Sequence, residues 1–576
     1  MNSVTLALFG FIAFFLGYRF YSKWLSNRIY DLKENIITPA HEFRDNIDFL
    51  PTKKHILFGH HFTSIAGAAP IIGPCVAAYW GWLPAILWIV LGTVFIGAVH
   101  DFGALVISVK EKGKSIADIS GKILNGRIRI LFLIFIILLI WLVLAVFAMA
   151  IADLFVAVPT SVLPINIEII IAICIGWLIY KKQMGVFMPS LAALILLYIF
   201  IWFGSQNPLS FESVGFSKVQ ATNTWVILLF IYSGIASMLP VWFLLQPRDY
   251  INSHQLIVGL ALLYIGVFVA HPVLDAPAWH LAQDSPPIFP LLFVTIACGA
   301  ISGFHGLVSS GTSSKQLNQL SDARMVGYGG AVGEGTLALA STIAAVAGIS
   351  LVGQCSLPAV GSVVDLNWSV YYDTWAHASG NKAAAFVLGG GALIESLGLS
   401  SNLATTLMAV LVISFAATTL DTATRIQRFI LAELGIVLNV KPLKNKFIAT
   451  FLAIIPAMLL VFTNVPDPGT GVVKQTGWVL WPIFGASNQM LAGLTLMTLT
   501  LYFYMRKKPI FPLLIPMLFI MGITIYSLWI KAIQFYGSNS LLFSLNVLLI
   551  CLILWMIIEG IVIVFNKVKK NELKNK

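Results

Sequence analysis

Charge is what this chain has least of. Only 10% of its 576 residues are Asp, Glu, Lys or Arg, far fewer than the water-facing surface of a soluble protein needs. A soluble enzyme or binding domain is therefore excluded. Cysteine is scarce as well: Cys75, Cys174, Cys298, Cys355 and Cys551 are odd in number and scattered, so neither a disulfide framework nor a metal knuckle is indicated. Missing too are segments of about ten residues that alternate polar and apolar, the mark of a membrane-spanning strand. The run 130–146 is apolar throughout, which sets a β-barrel aside.

What is present in abundance is hydrophobic length. Apolar residues make up 59% of the chain and the mean hydropathy is +0.90. A bilayer core about 30 Å thick is crossed by roughly 20 apolar residues in a helix, and such stretches recur from residue 4 to residue 565. Lipid offers no partner to an open backbone group, so these stretches must be helices. The first, 4–21, lacks a basic start and a small-residue cleavage site, and reads as a retained span rather than a signal peptide. The net charge of +11 falls in short clusters between apolar spans, so it speaks for membrane topology and not for nucleic acid as a partner.

Those basic clusters lie at 23–54, 110–129, 181–182, 248, 315–324, 425–446, 506–508 and 567–576. Placing all eight in the cytoplasm leaves room for two crossings between consecutive clusters. The expectation is an all-α polytopic membrane protein with about 15 transmembrane helices, its N-terminus outside and its C-terminus cytoplasmic. It divides into an N-terminal span and loop over 1–54, a transporter core over 55–505, and a C-terminal hairpin with a basic tail over 506–576. The glycine-rich stretch 383–399 is short enough to be re-entrant, and Trp478 and Trp481 suit anchors at the outer lipid interface.

Two spans carry helix breakers in mid-membrane. Gly67, Pro70, Gly73 and Pro74 interrupt the span beginning near Thr63, and Gly234 and Pro240 interrupt the span 225–245. On this topology they run in opposite directions, five spans apart, as an inverted-repeat transporter with a central site requires. Broken helices bare peptide N–H and C=O groups that can bind cargo. Gly67, Ala68, Pro70, Gly73, Ser233, Gly234 and Ser237 are thus the candidate substrate-binding residues.

Polar side chains within the spans supply candidates for coupling. His100 and Asp101 lie about 13 Å from the nearest basic residue along a helix, and a carboxylate at that depth costs at least about 2.5 kcal/mol unless it faces a cavity or a partner. Glu334, between Gly333 and Gly335, has similar depth, and is either a proton carrier or the partner of a buried histidine. The run SGFHGLVSSGTSSK packs five serines, one threonine and His305 into one half-span. Ser302, His305, Ser309, Ser310 and Thr312 are candidate cation ligands there, unless the hydroxyls simply bond back to their own helix. His60 and His61, close to Lys54, suit interfacial solvation; Asp421 and Arg425 suit an i, i+4 ion pair near the surface. Asn488 and Gln489 either bind substrate or join two helices.

Six stretches carry a family resemblance: GHHFTSIAGAAPIIGP from Gly59, GAVHDFGALVISV from Gly97, SMLPVWFLLQPRDY from Ser237, SGFHGLVSSGTSSKQ from Ser302, LDTATRIQR from Leu420 and FGASNQMLA from Phe484. In these the chain resembles the carbon starvation protein A (CstA) family of bacterial membrane transporters; past Thr500 no stretch matches. The resemblance implies a bacterial inner-membrane carrier with a five-plus-five inverted-repeat core, similar to the amino acid, polyamine and organocation transporters. It also implies uptake of peptides, or of a small carboxylate such as pyruvate, in the response to carbon starvation.

The reading that follows is a secondary active transporter without a cofactor, in contact with lipid, taking a small-molecule substrate with protons or sodium. Asp101, His100 and Glu334 are the candidates for proton coupling, Asp101 first. Two alternatives stay open. One is a membrane-embedded metal-dependent enzyme built on His60, His61, His100, Asp101 and His305, although none of these shows a ligand spacing such as HExxH. The other is a passive channel.

Overall fold

The computed structural model describes residues 2–574 apart from 34–35, 46–47, 186, 283–284, 358–360, 382, 467–472 and 476–478. Trp478 lies outside the described residues. Helix follows helix: α1 (Ser3–Tyr30), the bent pair α2 (Lys54–Ile65) and α3 (Ala69–Trp80), α4 (Trp82–Lys110), a short α5 (Ile116–Ile123), α6 (Gly126–Ala157), α7 (Pro159–Tyr180), α8 (Phe187–Gln206), α9 (Lys218–Met238) and α10 (Leu245–Ala270). Then come α11 (Ile288–Thr295), α12 (Gly303–Gly311), α13 (Leu320–Val346), α14 (Ala384–Glu395), α15 (Ser401–Val437), α16 (Lys446–Phe462), α17 (Trp481–Tyr504), α18 (Phe511–Phe535) and α19 (Ser540–Lys574). Two small antiparallel hairpins, β1 (Gln354–Leu357) with β2 (Gly361–Val364) and β3 (Asn464–Pro466) with β4 (Val473–Gln475), sit in connections.

Among the described residues, 11 helices are long and apolar enough to cross a membrane, and counting the bent pair α2/α3 as one span raises this to 12. The segment suspected of being re-entrant is α14, a helix of 12 residues and so about 18 Å long, short of a bilayer core. Local chemistry fixes several ends. Asn125 accepts the Ile128 N–H to start α6, Ser217 and Gln220 form a capping box at α9, and each satisfies a donor that the first turn leaves without a partner.

Burial separates centre from periphery. In α15 89% of the most apolar window is buried and in α6 78%, against 33% in α1, α8 and α19. α6 and α15 pack along one another through the middle of the molecule. The outer helices turn Phe187, Leu191, Ile195 and Trp202 of α8 outward, which is how apolar side chains are placed when the solvent is lipid.

Candidate functional site

The first expected break is real. α2 and α3 meet at a 49° bend because Ala66 leaves the helical region, at φ −78° and ψ 71°, and Pro70 in the first turn of α3 has no N–H to carry the earlier helix onward. A side chain at Gly67 would strike Phe147 of α6 and Thr419 of α15. The bend thus lies against the two central helices.

The second break is not where the sequence placed it. α9 is helical through Gly234 to Met238, and Pro240 lies in the connection to α10. Ser233 and Ser237 donate to the carbonyls of Phe230 and Gly234 in their own helix, and Gly234 is a contact point for Ile454. Ser233, Gly234 and Ser237 are therefore parts of an unbroken helix and not a counterpart to the first bend.

A second unwound stretch, 296–302, lies between α11 and α12. Gly299 holds it open at φ +94°, a conformation that costs glycine little. The two breaks pack directly on each other: a side chain on Gly73 would collide with the Thr295 carbonyl, and one on Gly299 would sit 3.4 Å from Pro70 Cα. Neighbouring helices fix the second break. Thr93 of α4 donates to the Gly299 carbonyl at 3.0 Å, and Asn488 of α17 accepts the Phe304 N–H at 2.9 Å while donating to Ser302 Oγ at 2.9 Å. Asn488 thereby caps α12, and Gln489 donates to the Phe293 carbonyl of α11 at 3.2 Å. Of the two roles open to these amides, both take the joining of helices.

Beside the breaks runs a buried acid–imidazole chain. Asp101 of α4 accepts His100 Nδ1 at 2.7 Å and His305 Nδ1, from α12, at 2.8 Å. The far nitrogen of His305, Nε2, lies 3.2 Å from Glu334 Oε2 on α13. All four side chains are buried, and glycines let them meet. Gly306 lies against the His100 ring, where a side chain would come within 3.1 Å, and Gly333 and Gly335 admit Phe62 and Thr93. Glu334 is thus the partner of a buried histidine. His100 Nε2, Glu334 Oε1, Ser309 Oγ and Thr495 Oγ1 are buried and have no hydrogen-bond partner among the described residues. The chain ties α4, α12 and α13 together through groups able to take up and release protons.

The serine-rich run divides. Ser310 and Thr312 bond back to the Gly306 and Val308 carbonyls, as the plainer reading had it; Ser302 is held by Asn488 and His305 by two carboxylates. Only Ser309, of the candidate cation ligands, has a hydroxyl without a partner among the described residues. His60 and His61 are not interfacial but buried: His60 Nδ1 meets Asp249 Oδ2 at 2.6 Å and His61 Nδ1 meets Ser313 Oγ at 2.8 Å. Adjacent residues on a helix point about 100° apart, so the two rings serve different neighbours. Among the described residues no group of three His, Cys, Asp or Glu side chains could hold a metal ion.

The polar start of α10 lies outside the residues expected to form a site. Arg248, taken for a cytoplasmic charge, is 1% exposed. Its guanidinium donates to Glu168 of α7 at 3.2 Å, to Tyr232 of α9 at 2.7 Å and to Asp421 of α15. Asp421 is consequently not paired with Arg425, which instead donates to the Ala236 and Leu239 carbonyls at the end of α9. Asn252, one turn beyond Asp249, donates to Thr418 at 2.9 Å. A signal was available: a charged pair, Arg248 and Asp249, directly before a long apolar stretch, together with the isolated Glu168 inside another.

Fold and site together define a multi-pass helical membrane protein with two interrupted helices meeting beside a buried, titratable chain. The chain belongs to the carbon starvation protein CstA family, whose model matches residues 2–527. It is 32% identical to peptide transporter CstA of Helicobacter pylori over 94% of this chain and 84% of that one. It is 29% identical to peptide transporter CstA of Bacillus subtilis over 99% and 97%, and 31% identical to the pyruvate/proton symporter BtsT of Escherichia coli over 90% and 80%. Its named relatives are transporters and not enzymes. Superposed on the solved structure of MhsT with L-phenylalanine, 12% identical, it reaches a TM-score of only 0.43 over 88% of this chain and 99% of that one.

Proposed function

We propose that the protein is a proton-coupled secondary transporter that brings a small carboxylate-bearing nutrient, a peptide or pyruvate, into a bacterial cell, and that it serves during carbon starvation. The observation that carries this is the direct packing of two helix breaks against each other, beside the buried chain Asp101–His305–Glu334. Breaks supply peptide dipoles for a carboxylate; the chain supplies a proton site within reach of the second break, because His305 is on α12.

Counting α11/α12, α16 and α17 as spans brings the total to about 15, and gives an inverted pair of five-span units: α2/α3, α4, α6, α7 and α8, then α11/α12, α13, α15, α16 and α17. α9 and α10 lie between the units. Six crossings lie between the first broken span and the second, so the two run in opposite directions. Cargo would bind between the bend at Gly67, Ala68 and Pro70 and the stretch 296–302, with Phe147 and Thr419 alongside. The N-terminus would be outside and the C-terminus cytoplasmic.

The test is uptake of labelled pyruvate and of a labelled dipeptide by proteoliposomes, under an imposed proton gradient or an imposed sodium gradient. Accumulation of either probe should follow the proton gradient. Asp101→Asn should abolish accumulation while exchange of labelled for unlabelled probe continues. Accumulation driven by sodium alone, or full proton-driven accumulation by the variant, would remove Asp101 from the coupling role.

A further inference from the structure

We propose that the His60–Asp249 pair is a second proton-binding site, loaded and emptied along with the chain built on Asp101. This deepens the transport reading above and rests on it.

The pair joins the first broken helix to a helix outside both five-span units. His60 lies on α2, less than two turns from the bend, and Asp249 on α10. The two helices approach closely because residue 59 is glycine: a side chain there would come within 2.7 Å of Ser253 Oγ. Thr63, on the same face of α2, also leans toward the Asp249 backbone carbonyl, at 3.4 Å. Both members of the pair are at least nine-tenths buried.

Geometry assigns the proton its place. A carboxylate can only accept, so the 2.6 Å contact puts a hydrogen on His60 Nδ1 and leaves the lone pair on Nε2. That atom is buried and has no partner among the described residues, and the same is true of Asp249 Oδ1 and Asn252 Oδ1. Protonation at Nε2 therefore converts a negatively charged pair into a neutral imidazolium–carboxylate pair without moving either side chain.

The surroundings leave one positive charge to be found. The charged and titratable groups about the pair are Arg248 on α10, Asp421 and Arg425 on α15 and His61 on α2, with Glu168 of α7 and Tyr232 of α9 reached through Arg248 and the opposite charges Arg428 and Asp48 reached through Arg425. His305 and Glu334 belong to the other network, on the His61 side of α2. Glu168, Asp421 and Asp249 set three carboxylates against two guanidinium ions, Arg248 and Arg425. An unbalanced charge in so dry a place is costly, and a proton on His60 supplies the balance. In the other network His305 is already held between two carboxylates. The two sites lie on different faces of α2, so any tilt of α2 that opens the break disturbs both.

The experiment is the proton-to-cargo ratio of the full-length protein in proteoliposomes, with the membrane potential clamped at zero and labelled pyruvate or the labelled dipeptide as probe. Each coupled proton multiplies the accumulation ratio by about tenfold per pH unit. Wild type should therefore accumulate about 100-fold per pH unit, and Asp249→Asn about tenfold. His60→Gln should match Asp249→Asn and gives the answer if that variant fails to fold. A wild-type ratio of about tenfold overturns the second site and leaves the first standing, as does an unchanged ratio in both variants. No proton-driven uptake by wild type overturns both.

Discussion

Arg248 holds three other helices at once, and the cost of losing it follows from what it leaves behind. Without the guanidinium, Glu168 and Asp421 stay buried with no cation against them, and a broken buried pair costs about 3–5 kcal/mol. Arg248→Met should thus lower the melting temperature of the detergent-solubilised protein sharply. Adding Asp421→Asn to that variant should recover part of the loss, because one of the two stranded charges is gone. Arg248→Lys should rescue poorly, since a point charge cannot reach both carboxylates with the fixed fork that Arg presents. If Arg248→Met melts with wild type, the buried network is not what holds α7, α9, α10 and α15 together.

At the scale of elements, the position of the two breaks separates glycines that look alike in the sequence. Gly73 faces backbone: a methyl group there meets the Thr295 carbonyl, which cannot move without parting the two breaks. Gly234 faces the flexible tip of Ile454, at 2.6 Å, with the next atom at 3.8 Å. Gly73→Ala should cost about 1–3 kcal/mol, as overpacking does, and impair uptake; Gly234→Ala should stay within about 1 kcal/mol and transport normally. Uptake lost in Gly234→Ala and kept in Gly73→Ala would return the second break to α9. The first break could be read from sequence because two glycines and two prolines fall within eight residues, 67–74; it opens at the head of that cluster, around Gly67, while Gly73 and Pro74 are taken up inside α3. The second could not. Residues 296–302 read IACGAIS, an apolar run with one glycine, and their unwinding is imposed from outside by Thr93 and Asn488. That Asp101 and Glu334 are buried was legible from their distance to basic residues, but the ring that joins them, His305, comes from a third helix, and no spacing along the chain records that meeting. The same holds for Arg248 and Asp421, 173 residues apart, where sequence offered the nearer and wrong partner, Arg425.

Taken as a whole molecule, the proposed carrier must open to water where this structure is closed, and a native cysteine stands in the stretch that would part. Cys75 lies within α3, about two turns past the first break, and Cys298 lies in the second, within 3.1 Å of Asn488 Nδ2; both are buried. A thiol shut away from water does not react, because the thiolate is the nucleophile and needs solvent or a positive neighbour to form. In a variant with Cys174, Cys355 and Cys551 replaced by Ser, a small water-soluble maleimide should react with Cys298 slowly, at a rate set by how often the breaks part. On the proposed site a transported probe would occupy the space between the breaks, so saturating pyruvate or dipeptide should slow the reaction, while a probe that is not transported should leave it unchanged. Mass spectrometry of the peptide carrying Cys298 reads the rate directly. A protein that reacts only as it unfolds would show the same rate with and without probe, and Cys298 would then label in step with loss of the fold rather than ahead of it.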